Sequence, residues 1–451
     1  MSRVRKLFLI GLLLFPAALF AQNQQPPGDE ETATDDEPVQ KSGERFQLTF
    51  KNRPSLRIGE FAQVDFKAKW HFDFRRFSPS AINLPGIVNA LPADPDLFYL
   101  SKARFGLKGK VTKYFDYEVE RDLRADIDET LNEYHPWKDN YVDVNLHRLI
   151  HVKIGKFKMP FGLEEIGSED RLDYAIKSRV TDALTPARER GIMLHASRGN
   201  RWEYQVGMFR YDGEGSGVHG QPTAGRTFAA RVAGQPLRPL KQLPSTIRRI
   251  QFGLAGTKGE MFAGQNGVNG QTFSGFTFFD RMFVRGDRKR IGFELAWAEG
   301  PASIKGEYMR MSEERRQQGI RGEDLPDKIS DGWYVTGGWN LFGKMKSRGG
   351  APENPFWIGR GFGAVELSAR FDVLRFYGAK TAAGLPSRSP RAPTILPNSD
   401  RTWTFGPTWY LNRFLKIQVN GQREWVTDID RTAVFGRHSF WSGIVRLQAA
   451  M

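Results

Sequence analysis

The chain contains no cysteine. In an exported protein this excludes a disulfide framework and thiolate metal sites alike. Past the first twenty-odd residues there is no apolar run of 18 or more, and the mean hydropathy is −0.49, so helical membrane spans are excluded as well. A chain of this kind can live in a membrane only as a closed barrel. Helices and barrels alone satisfy every backbone group in lipid.

What is present begins with a secretory signal. In residues 1–21, Arg3, Arg5 and Lys6 form a basic start, Leu7 to Phe15 an apolar run too short to cross a bilayer, and Ala21 the small residue before cleavage. Residue 22 is Gln and not Cys, which argues against a lipid-anchored N-terminus. Residues 22–45 are Gln/Pro-rich, then acidic (Asp29, Glu30, Glu31, Asp35, Asp36, Glu37), and read as a disordered leader. The remaining 46–451 suffice for two or three ordinary domains or one large barrel. The net charge of +15 suits nucleic acid, an anionic surface or an anionic solute, and export argues against nucleic acid as a partner.

From Phe61 to Phe74 the pattern is two-fold. Val64, Phe66, Ala68, Trp70, Phe72 and Phe74 alternate with Gln63, Asp65, Lys67, Lys69, His71 and Asp73. The same alternation recurs to give about sixteen strands. Tight turns at Thr112-Lys113, His147-Arg148, Gly199-Asn200, Gly300-Pro301 and Asn412-Arg413 alternate with long connections at 75–97, 122–138, 157–189, 210–225, 258–288, 312–331, 374–400 and 427–437. Residues 235–247 and 342–361 are long where a short turn is due. The expectation is an all-β, transmembrane antiparallel barrel with short periplasmic turns and long extracellular loops.

A secreted or surface β-sandwich that binds or adheres would also alternate. Three features favour the barrel: long strands, charged polar faces, and Trp and Tyr near strand ends (Trp70, Trp202, Trp297, Trp339, Trp409, Trp441), where they would form interfacial girdles in contact with outer-membrane lipid.

No catalytic, metal or cofactor constellation emerges. His147 and His151 are spaced i, i+4, but they flank a turn and no Glu follows His147 as HExxH requires. Gly359, Gly361 and Ala364 match GxGxxA but precede a strand instead of following one. The informative residues are basic and lie on polar faces: Lys102, Arg104, Lys108 and Lys110 on one strand, with Lys67, Lys69, Lys153, Arg231, Lys305 and Arg370 on others. In a barrel of this size the polar face looks into water, and cations gathered there concentrate anions. The expected activity is passive diffusion of inorganic anions, with no covalent chemistry.

The run GKFKMPFGLE (155–164) resembles the segment that marks the phosphate-selective porin O and P family of Gram-negative outer membranes. PARERGIMLHA (186–196), GAVELSARFDVL (363–374) and TFGPTWYLNRFLKIQVNG (404–421) fit the same family. The resemblance implies a sixteen-stranded homotrimeric barrel in the outer membrane, anion-selective, drawing phosphate or polyphosphate along pore arginines and lysines. It also implies a third loop folded into the pore. That loop is Gly155–Ala196, where Lys156, Lys158, Arg188 and Arg190 at the strand-proximal ends are the expected anion contacts. Its middle carries Glu164, Glu165, Glu169, Asp170, Asp173 and Asp182 and is expected to be a plug held by its own ion pairs. Barrels of this kind usually end in an aromatic residue; here Met451 takes that place.

Overall fold

The computed structural model describes residues 46–50, 53–77, 96–126, 136–199, 201–213, 224–346, 349–356, 361–380, 384–434 and 436–451. The signal and the leader, 1–45, lie outside these residues. A short hairpin, β1 (Phe46–Thr49) and β2 (Ser55–Ile58), comes first. Barrel strands follow: β3 (Ala62–Phe77), β4 (Asp96–Val111), β5 (Phe115–Asp122), β6 (Trp137–His147), β7 (Ile150–Lys158), β8 (Arg188–Ser197), β9 (Trp202–Phe209), β10 (Thr227–Gly234) and β11 (Gln251–Gly264). A small separate hairpin, β12 (Gly270–Gln271) and β13 (Thr277–Phe279), interrupts them. The barrel then resumes with β14 (Val284–Glu299), β15 (Ala302–Arg315), β16 (Leu325–Phe342), β17 (Ala364–Gly378), β18 (Asn398–Tyr410), β19 (Leu415–Val426) and β20 (Ser439–Ala450).

Sixteen antiparallel strands, β3 to β11 and β14 to β20, pair in chain order, and β20 closes the ring on β3. Ala449 faces Trp70 across the seam, and the Met451 and Ala68 backbones exchange hydrogen bonds of 2.9 and 3.2 Å. Closure leaves no sandwich edge and satisfies the backbone within lipid.

The alternation read from the sequence is built inside out. On β14, Ile291, Phe293 and Leu295 point outward, with Phe293 50% exposed, while Arg288, Arg290 and Glu294 point inward and Arg288 is fully buried. Charged residues buried beneath exposed aromatics make sense only if lipid wets the outer face.

Two findings depart from the sequence reading. Several strands run further than the alternation suggested: β11 to Gly264 and β14 from Val284, with Lys258, Glu260, Arg285 and Asp287 in the added parts. There the outward face turns polar while the inward face carries Met261 and Val284, so the apolar-out, polar-in alternation of the wall is lost. The lumen, moreover, is not simply open water. The connection between β7 and β8 and the one between β11 and β14 both fold inward. Their Phe161, Val180, Leu184, Phe278, Phe279 and Met282 pack with Met309, Met311 and Phe376 of the wall into an apolar core inside the barrel. Gly292 and Gly332 recess that wall. A Cβ would meet the Phe161 ring at 3.1 Å in the first case and Val180 Cγ2 at 2.7 Å in the second.

Candidate functional site

The lumen is crossed by residues 159–187. The segment leaves β7, turns through the short helices Leu163–Ile166 and Arg179–Leu184, and returns to β8. Ser178 caps the second helix by accepting the Thr181 N–H at 3.1 Å. Too irregular for strand and too long for a turn, the segment must find partners for its backbone groups on the wall.

Glu307 accepts the N–H groups of Leu163 (2.7 Å) and Glu164 (2.8 Å), and the Tyr334 hydroxyl donates to it at 2.6 Å. Arg370 donates to Asp372 (2.9 Å), to Glu164 (3.3 Å) and to the carbonyls of Ile176 (3.3 Å) and Lys177 (3.0 Å), and lies 4.5 Å from the Tyr174 ring centre. Lys416 and Gln418 donate to the Leu172 carbonyl at 2.9 and 3.1 Å, and Asn420 accepts the Ala175 N–H at 2.9 Å. Arg290 donates to the Leu184 carbonyl at 2.8 Å, and Lys305 pairs with Asp173 at 2.7 Å.

On the opposite wall the loop presents acids to the cations of β3 and β4. Glu169 meets Arg104 at 2.9 Å and also Lys102, while Asp170 lies 3.0 Å from Lys69. Burial alone would raise the Glu169 carboxyl, but Arg104 and Lys102 hold it well below the usual range. Burial opposes ionisation of Asp170 too, and Lys69 and His71 more than offset it. Within the loop, Lys177 pairs with Glu165. The plug expected to hold itself together is therefore pinned mostly by the wall.

The expected anion contacts fall into three groups. Most are committed to carboxylates or carbonyls. Lys102 and Arg104 serve Glu169, and Arg104 also reaches Glu120 (3.4 Å) and Asp122 (3.3 Å). Lys153 lies 3.4 Å from Asp143, and its ammonium sits 4.3 Å from the Tyr141 ring centre. Lys158 donates to the carbonyls of Glu165 (2.5 Å) and Gly167 (2.7 Å), and Arg188 grips Asp139 at 2.8 and 3.2 Å. Arg231 binds Glu294 at 2.6 and 2.8 Å and also meets Glu203, while Arg370 anchors the loop.

Lys156 and Arg190 form the second group. They pair across β7 and β8 and stand two residues from Ile154 and Ile192, which are exposed outward. Lys156 donates to the Trp137 carbonyl at 2.7 Å, and Arg190 is exposed. This placement puts both on the outward face, since residues two apart along a strand share a face.

Lys108 and Lys110 form the third group. They lie on the lumen face of β4 towards its periplasmic turn, opposite Glu118 and Asp116, and make no ion pair among the described residues. Of the two noted histidines, His147 accepts the Leu149 N–H in its turn, and His151 lies 5.3 Å from the His195 ring.

The alternation could not reveal Glu307 and Lys416 as loop anchors, because their partners lie far along the chain. The inward fold of 265–283 did leave a signal. Phe273, Phe276, Phe278, Phe279 and Met282 are too apolar for a loop in water.

The family model for phosphate-selective porin O and P matches residues 71–423. Among solved structures, an anion-selective porin from Comamonas acidovorans shares 10% identity, with 86% of this chain and 100% of that one covered, at a TM-score of 0.52. The outer-membrane channel DcaP of Acinetobacter baumannii shares 8% identity over 87% and 98% of the two chains, with a TM-score of 0.51. OmpT of Vibrio cholerae in its trimer form shares 10% identity over 87% and 100%, with a TM-score of 0.51. No curated protein matches by sequence.

Proposed function

Because the chain belongs to the phosphate-selective porin O and P family of outer-membrane proteins, we propose that it is a passive, anion-favouring diffusion channel that works as a homotrimer. Phosphate and similar inorganic anions are the intended solutes. The observation that carries the anion preference is the pair Lys108 and Lys110. Most other cations of the lumen wall are bound to carboxylates or loop carbonyls, whereas these two add positive potential to the solvent path. The resemblance in fold to an anion-selective porin and to a trimeric one supports the same reading.

Reconstituted protein should carry anions over cations in a reversal-potential measurement across a salt gradient, the preference shrinking as ionic strength rises. Lys108→Glu with Lys110→Glu should reduce or invert that preference without altering barrel migration on a gel. Cation preference in the parent protein would overturn the reading.

A further inference from the structure

While most lumen cations are matched by carboxylates or loop carbonyls, the outward face carries a second set of cations. On β14 to β19 the outward residues above the periplasmic end are mostly apolar and then reach a charged residue, a lysine or arginine on every strand but β16, which presents Asp331. Lys289 stands ten residues before Glu299, where β14 ends, and Arg310 eight beyond Ala302, where β15 begins. Arg375 is eleven beyond Ala364, Arg401 nine before Tyr410, and Arg423 eight beyond Leu415. A tilted strand needs about 9–11 residues to cross the hydrocarbon. Each cation therefore sits one crossing above the periplasmic side, at the outer boundary of the lipid.

The registers put them level. Arg310, Asp331 and Arg375 share one cross-strand row. Lys289 lies one outward position above that row, opposite Ser312; Arg401 lies one below it, opposite Val373; and Arg423 lies one lower still, opposite Trp403. A descent of about one residue per strand is the stagger that tilt imposes on a closed barrel, so the rows slope while the cations hold one height.

Directly beneath runs an aromatic tier. Phe371 lies between Trp333 (5.6 Å, edge to face) and Trp403 (4.9 Å, tilted); beside Arg423, not beneath it, are Trp425 and Trp441, with ring centres 4.7 and 5.4 Å away. Asp331 organises one part of the band. Arg375 binds it at 2.7 and 3.0 Å, Tyr377 donates to it at 3.0 Å, and Arg310 lies 3.9 Å away and donates to the Tyr377 hydroxyl at 3.2 Å. Asp287 (3.0 Å) and Glu314 (3.7 Å) pair with Lys289, while Arg401 has no ion pair among the described residues. The side chains of Arg310 and Arg375 remain 45% and 49% exposed.

We propose that the band formed by Lys289, Arg310, Arg375, Arg401 and Arg423 docks the phosphate-bearing headgroups of lipids in the outer leaflet. A guanidinium fork fits phosphate oxygens, and at the edge of hydrocarbon the attraction is less screened than in water. The aromatic tier holds the boundary between acyl chain and headgroup at the matching height. A solute travelling through the lumen never meets these side chains, since they lie on the far side of the wall.

The test uses the full chain in detergent micelles, titrated with a diphosphorylated glycolipid and with the same glycolipid stripped of phosphate, binding being read by native mass spectrometry. The parent should favour the phosphorylated lipid by about tenfold or more, the worth of one charge-assisted contact. Arg401→Gln with Arg423→Gln should remove most of that preference while keeping heat-modifiable gel migration, and Lys108→Glu with Lys110→Glu should leave it intact. Equal binding of the two lipids by the parent, which requires no variant, overturns the proposal. So does a disulfide between copies formed through Arg401→Cys, which would assign the band to a subunit contact.

Discussion

Arg370 shows how one residue can serve both wall and loop. It is 1% exposed, and its guanidinium is shared among two carboxylates and two carbonyls. Replacing it with Met takes from Glu164 and Asp372 the cation that both bind, a loss of roughly 3–5 kcal/mol for a broken buried pair. The expected outcome for Arg370→Met is a wider, noisier single channel with barrel migration preserved. Arg370→Lys should fall between, because an ammonium cannot reproduce the fork. That Arg370 faces inward was legible from its alternation with Phe371. Its partner Glu164 lies 206 residues away and was not. Lys156 and Arg190 show the opposite limit. Counted by twos from Ile154 and Ile192 they fall on the outward face, so the alternation set them apart from the lumen, and only the family resemblance drew them into it.

Among the elements, the crossing loop and the loop at 265–283 divide the work. The first is held by polar contacts to both walls; the second adds aromatic mass above it, with Phe279 stacked on Phe376 at 4.6 Å and Phe273 against Phe77 at 5.6 Å. Phe278→Ala with Phe279→Ala empties part of this core at a cost of roughly 3–5 kcal/mol per ring. Conductance should rise while the anion preference persists, as both rings are uncharged. The pH dependence of the crossing loop follows from Glu169 and Asp170, whose carboxyls are held below their unfolded values. Their contribution is complete above about pH 5 and fades as pH falls below about 4 towards the folded values. Thermal unfolding of the detergent-solubilised protein should therefore change little through these groups from neutral pH down to about 5, and its midpoint should drop below that. Strand number was legible because lipid forces strict alternation, and the inward third loop because the family resemblance implied one and chain order showed which connection it was. The second inward loop left a signal only in composition, Phe273 to Met282, because short apolar runs in a long connection have no period to read.

For the molecule as a whole, charge sorts by face. Inside, most cations of the wall are answered by carboxylates or loop carbonyls; at the outer rim, a level band is answered only in part. The net charge of +15 is thus a poor guide to the pore by itself. The seam closes this arrangement, with Arg446 of β20 gripping Asp73 of β3 at 2.6 and 2.7 Å across 373 residues of chain. Much of the seat of the crossing loop is supplied by late strands: Lys416, Gln418 and Asn420 on β19, and Gln448 on β20, which donates to the Asp170 carbonyl at 3.2 Å. Biogenesis therefore has a built-in order. Until the last two strands zip up, the loop has only part of its cradle. The crossing loop is therefore expected to settle as the ring closes, so that wall and constriction are finished together.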